Sequence, residues 1–242
     1  MTAAPPRPVP ARIADRLIVA LDLPEVAAAR AMAARLDGVV SFFKLGLWLI
    51  FAPGFEGLVD DLLAQGKKIF LDAKMFDIGE TVRQGVRRAA ERGISFVTVH
   101  GDRDIIGAAV DARRGSELRI LAITALTSLD DSGLRDLGYA GPVEALIARR
   151  VAGCVELGVD GIIASPQDVA GIRRLPGAER LVVVTPGVRL AGAALDDHKR
   201  AGTPADAIAA GADYLVVGRP IVQAQDPAAA AARIIADMQS AA

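Results

Sequence analysis

LIVALDLPE, residues 17–25, is the stretch on which the architecture turns. Its first six residues are a branched apolar run closed by an acid, and the turn that follows carries proline and glutamate but no glycine. An open doubly wound sheet usually places a Gly-rich phosphate turn at this point. Its absence directs the reading toward a closed barrel. Further short runs rich in branched apolar residues follow at 39–45, 68–72, 95–100, 119–125, 161–165, 181–185 and 214–218. The longer segments between them, among them 25–36, 81–92, 143–157 and 204–210, are alanine-rich and charge-bearing, as helices over a parallel sheet are. Eight such units predict an α/β chain folded as a single-domain (β/α)8 TIM barrel over residues 17–242. Residues 1–16, MTAAPPRPVPARIADR, read as a flexible tail.

Composition narrows the partners. At 242 residues with 52% hydrophobic content the chain is long enough to bury one sizeable core. With 28 basic and 29 acidic residues, net charge −1, it lacks the basic footprint of a nucleic-acid binder or a polybasic membrane anchor. Apolar runs are too short to span a bilayer, and the first residues have no continuous apolar stretch for secretion. The expectation is a soluble cytoplasmic protein with a small-molecule partner. One cysteine, Cys154, excludes an intramolecular disulfide, and no Cys/His cluster offers a zinc site.

In a barrel the active site is built at the carboxyl ends of the strands, so reactive side chains there are the useful signal. The first run ends in Asp22, the second carries Lys44 near its end, and the third continues through Asp72 and Lys74 to Asp77. Side chains alternate faces along a strand, which puts Asp72 and Lys74 on one face, about 6–7 Å apart. Rim salt bridges are one reading of these charges. The other is a functional network, because placing several ions in a partly dehydrated mouth costs several kcal/mol for each one left unpaired. Asp77 has two readings as well: a site residue, or the acidic N-cap of a helix with Glu80 completing a capping box.

TPGVR at 185–189 and GRP at 218–220 follow the seventh and eighth runs, where barrels most often bind phosphate through glycine amides and arginine. Gly218, Arg189 and Arg219 are therefore phosphate-site candidates. His100 is either a ligand or base or, with His198 as the other histidine, a packed core residue. Thr127 and Ser128 can hydrogen-bond a heterocycle or simply form a turn. Residues 190–203 are long for a connection and have the composition of a mobile lid.

LDAKMFDIGETV, residues 71–82, resembles the DxKxxDIxxT motif of orotidine 5'-phosphate decarboxylases. The resemblance continues in the family's order through LIVALD, FFKLGLWL, ITALTS, TPGVR and DYLVVGRP. It implies conversion of orotidine 5'-phosphate to uridine 5'-phosphate and CO2 in pyrimidine biosynthesis, with no metal or other cofactor, by a homodimer whose sites are shared across the interface. It assigns Asp22 and Lys44 to the ribose and the charge network, and Asp72 and Lys74 to the reacting centre. Asp77 and Thr81 fall to a site completed by the partner, Thr127 to the base, and Arg189, Gly218 and Arg219 to the phosphate, with Ile78 and Ser128 as further substrate-binding candidates. Two positions depart from the pattern. His198 stands where many relatives carry a lid glutamine, and Glu80 replaces the commoner asparagine. An imidazole can donate a hydrogen bond but cannot copy an amide that donates and accepts at one carbon.

The chain also resembles magnesium-dependent 3-hexulose-6-phosphate synthases, which share the barrel and a DxKxxD motif. Those relatives typically have an acid at the position of Lys44, where a lysine repels Mg²⁺, and they lack the threonine matching Thr81. A catalytically silent phosphate-binding barrel, the third reading, predicts loss of motif charges, and every one is present.

Overall fold

The computed structural model describes residues 9–189 and 202–241. Eight parallel strands close into a barrel in sequence order: β1 Leu17–Ala20, β2 Phe42–Gly46, β3 Lys68–Met75, β4 Phe96–His100, β5 Arg119–Ile123, β6 Gly161–Ile163, β7 Val182–Pro186 and β8 Tyr214–Val217. β8 pairs back onto β1 through Leu17 and Leu215. Parallel neighbours cannot be joined by a tight turn, so each connection carries a helix across the outside. The principal ones are Val26–Arg35, Phe55–Ala64, Gly79–Glu91, Arg103–Ala112, Val143–Leu157, Pro166–Arg173 and Pro204–Ala209, and a last helix, Pro227–Gln239, follows β8. The architecture is the TIM barrel expected from the alternation.

Local chemistry accounts for the helix ends. Proline opens the helices at 166, 204 and 227, where its missing N–H has no intrahelical partner to lose. Thr203 and Asp226 accept the Asp206 and Ala229 amides as N-caps. Before β1, Ile13–Arg16 forms a 3₁₀ turn, and Arg16 donates to the Asp213 and Ala212 carbonyls.

The twofold alternation of the strands divides the core. Val19, Phe43, Leu45, Ile69, Val97 and Val99 face the helices. Ile18, Phe42, Phe70, Phe96, Leu121, Val184 and Tyr214 fill the barrel interior. Phe42 and Tyr214 each meet Phe96 edge-on, with centroids 4.9 and 5.3 Å apart. Each such pair contributes about 0.5–1.5 kcal/mol beyond the area it buries. On β2, β3 and β4 the next inward residues toward the mouth are polar: Lys44, Asp72 and Thr98.

Candidate active site

Lys44 is 8% exposed and rises from the aromatic floor. Its Nζ donates to Asp22 Oδ1 and Oδ2 at 2.9 and 3.1 Å and lies 3.5 Å from Asp72 Oδ2. Lys74 Nζ donates to the same Asp72 Oδ2 at 2.7 Å. The two ammoniums thus share one carboxylate, and their exposure differs. The Lys44 and Asp72 side chains are 10% and 13% exposed, whereas that of Lys74 is 40% exposed and can be reached from the mouth. Burial pushes the Asp72 carboxyl up, but the two ammoniums and the hydrogen bonds from Lys74 and Thr98 outweigh it, holding the group below its ordinary range. Asp72 is accordingly ionised at neutral pH.

The backbone beneath this pair is irregular. β3 continues past Asp72 to Met75, and its register with β4 shifts between Leu71 and Met75. Lys74 has φ 46°, the left-handed region that a residue with a Cβ avoids, at a cost of about 1–3 kcal/mol. Its N–H donates to Thr98 Oγ1 at 2.9 Å, and the Thr98 hydroxyl donates to Asp72 Oδ1 at 2.9 Å. Gly46 is a second participant not singled out by sequence reasoning. A Cβ there would lie 2.7 Å from Asp22 Oδ1 and 3.1 Å from Lys44 Nζ, so glycine leaves the ion pair in place where a larger residue would push its charged ends aside. A glycine two residues beyond an inward lysine in an otherwise apolar strand is the signal that could have found it.

Asp77, Ile78 and Thr81 are all exposed at the start of the helix that follows β3. The capping-box reading of Asp77 and Glu80 is corrected here. Ile78 is the N-cap, with no side-chain cap bond, and the Asp77 carboxylate takes the adjacent Ile78 amide at 2.7 Å. Glu80 cannot reach back because Gln84 and Arg83 hold it. Among the described residues the Ile78 amide is the one partner of the Asp77 carboxylate.

On β4, His100 Nδ1 meets Asp102 Oδ2 at 2.6 Å, Arg150 approaches the same carboxylate at 3.6 Å, and the Phe76 ring lies 4.5 Å from the imidazole. Thr127 is half-buried and Ser128 exposed in the turn after β5. Across the mouth, four strands from β3, β7 leads into Gly187, at φ 80°, and buried Arg189, whose guanidinium donates to the Val188 carbonyl. Neighbouring β8 leads into Gly218 and half-buried Arg219. The two arginine-bearing loops therefore emerge side by side, opposite Lys74. His198 and most of the expected lid at 190–203 lie outside the described residues.

The model of the Orotidine 5'-phosphate decarboxylase / HUMPS family matches residues 15–234. The chain belongs to that family. Within it, the orotidine 5'-phosphate decarboxylase of Afipia carboxidovorans is 48% identical over 238 residues, covering 98% of each chain. That of Rhodopseudomonas palustris is 50% identical over 234 residues, covering 97% of this chain and 98% of its own. The crystal structure of orotidine 5'-phosphate decarboxylase from Lactobacillus acidophilus superposes with a TM-score of 0.81 at 33% identity, covering 93% of this chain and 99% of that one. All three are matched over nearly their whole length, so the family resemblance extends well beyond the motif.

Proposed function

We propose that the chain decarboxylates orotidine 5'-phosphate to uridine 5'-phosphate and CO2, as a cytoplasmic homodimer that needs no metal or other cofactor. The observation that carries this reading is the Lys44–Asp72–Lys74 network, with its accessible ammonium held on a largely buried carboxylate. When the bond from C6 of the pyrimidine to its carboxylate breaks, the electron pair stays on C6 as CO2 departs. No adjacent carbonyl absorbs that charge. A fixed ammonium aimed at C6 stabilises it and then supplies the proton that completes the product. Lys74 takes this role. Asp72, with Asp77 of the partner subunit, lies beside the leaving carboxylate and holds the lysines in place. Asp22 and Lys44 bind the ribose, Ile78 and Thr81 complete the neighbouring site, and Thr127 and Ser128 meet the base. Arg189, Gly218 and Arg219 take the phosphate, whose remote binding energy closes the lid bearing His198.

A shared site is supported by the exposed rim around Asp77. Trp48, Phe51, Phe76 and Ile78 are 65–83% exposed, and all follow β2 or β3 at the mouth. Exposed apolar residues gathered on one side of a barrel favour burial by a second copy. Buried Cys154, its thiol pushed up to about 12 by desolvation, is unreactive and suits a reducing compartment.

The magnesium-dependent sugar-phosphate reading is disfavoured by the position of Lys44. Its ammonium fills the space between Asp22 and Asp72 that a cation shared by those carboxylates would need. The test is to incubate purified protein with orotidine 5'-phosphate and follow loss of the orotate absorbance, with and without EDTA. Equal rates in both are expected. Activity removed by EDTA and restored by Mg²⁺ would overturn the metal independence, and no loss of orotate absorbance with or without EDTA would overturn the decarboxylase reading.

Phosphate recognition has its own test. Arg219→Ala is expected to weaken uridine 5'-phosphate by about 1.5–3 kcal/mol, the worth of a hydrogen bond to a charged group, and to leave uridine nearly unchanged. Calorimetric titration with both ligands measures the difference; equal weakening would move the phosphate elsewhere.

A further inference from the structure

We infer that Thr98 is a positioning residue for this reaction, its one hydroxyl setting both the carboxylate of Asp72 and the backbone of Lys74. The inference rests on the proposed roles of Lys74 and Asp72. Thr98 is fully buried on the inward face of β4, directly beyond Phe96, so no bulk water can stand in for its hydroxyl. The proton arrangement is forced. The Lys74 amide can only donate, so Thr98 Oγ1 accepts there at 2.9 Å, and its own hydrogen goes to Asp72 Oδ1 at 2.9 Å. A β-branched side chain has few χ1 choices, which makes this a stiff link.

Each half of the link acts on the lysine. The bond to Asp72 Oδ1 fixes the carboxylate's rotation and leaves Oδ2 for Lys74 at 2.7 Å and Lys44 at 3.5 Å. The bond from the Lys74 amide satisfies the donor that the register shift removes from the β3–β4 ladder, and it holds Lys74 at φ 46°. A bulge beside a site re-aims a side chain. Here Thr98 supplies the hydrogen bond that keeps it re-aimed.

The test uses Thr98→Val, which has nearly the same shape but no hydroxyl, and Thr98→Ser, which restores it. Thr98→Val is expected to lower kcat by about 10–100-fold, the scale on which small misplacements of a reacting group act. Its affinity for uridine 5'-phosphate should change by less than about threefold, since the phosphate contacts lie across the barrel. Thr98→Ser should recover most of kcat. Should Thr98→Val not yield folded protein, Thr98→Ala takes its place in the same comparison, with bound uridine 5'-phosphate certifying the fold. A valine or alanine variant that binds the nucleotide and turns over at the wild-type rate would overturn the inference, as would a serine variant no better than valine. Wild type and Lys74→Ala are assayed alongside. A wild type inactive on orotidine 5'-phosphate overturns the functional reading itself, whereas an active wild type, a dead Lys74→Ala and a fully active Thr98→Val overturn only the role of Thr98.

Discussion

Lys74→Ala is expected to lower turnover of orotidine 5'-phosphate by at least about 10⁴-fold, because it removes both a charge stabiliser and a proton donor from the same step. Nucleotide binding should survive. The proposed phosphate contacts emerge beyond β7 and β8, across the mouth from β3, and the ammonium is needed when charge develops at C6 rather than to hold the ground state. The fold should survive too. Asp72 would keep Lys44 at 3.5 Å and the Thr98 hydroxyl, so its buried charge is not left unpaired. Steady-state absorbance assays, with a parallel titration by uridine 5'-phosphate, separate the two effects. Turnover within about tenfold of wild type would end the assignment of Lys74 as the reacting group, since a single lost electrostatic donor already costs more than that.

The second large effect is a recovery. Lys74→Ala and Asp77→Ala, each inactive alone, are expected to regain about a quarter of wild-type site activity when unfolded together at equal concentration and refolded. Random pairing in a two-fold dimer makes about half the dimers hybrids, and each hybrid has one site with both defects and one with neither. An Asp77 acting inside its own chain would give no such rescue. The local geometry sharpens the contrast, because Asp77 is not the N-cap of the helix Gly79–Glu91 and its carboxylate bonds only the adjacent amide among the described residues. Mass measurement of the hybrid makes a flat result decisive: hybrids present with no gain in decarboxylation would remove Asp77 from the catalytic set.

Much of this architecture could be read in the sequence because burial writes a period. The eight apolar runs fall on the eight strands, and the inward parity of Lys44 and Asp72 follows from the phenylalanine two residues before each. Alternation also put Asp72 and Lys74 on one face. It missed the irregular backbone between them, because that conformation depends on a hydroxyl 24 residues further along the chain. A regular period contains no information about a hydrogen bond that breaks it. Nothing in the sequence alone fixes the part played by Thr98, one polar residue in an apolar strand, or by Gly46, since what each does is set by neighbours on adjoining strands. The capping box failed for a local reason. The D-x-x-E spacing is right, but Gln84 and Arg83 compete for Glu80, and the chain enters the helix one residue too late for Asp77.

The aromatic floor has a bearing on how this enzyme can be modified. Phe42, Phe70 and Phe96 sit one strand repeat, about 6.6 Å, beneath Lys44, Asp72 and Thr98 on the same three strands. Anything that shifts those rings shifts the polar layer resting on them. Melting temperature and rate are therefore coupled through a handful of phenylalanines, and repacking the barrel interior for heat tolerance changes both together. Away from the helix Gly79–Glu91, whose N-cap Ile78 and first-turn Thr81 are proposed to complete the neighbouring site, the outer faces of the helices carry no such linkage. Caps, surface charges and solvent-side alanines there can be altered for stability or expression while the reacting groups stay where the floor has put them.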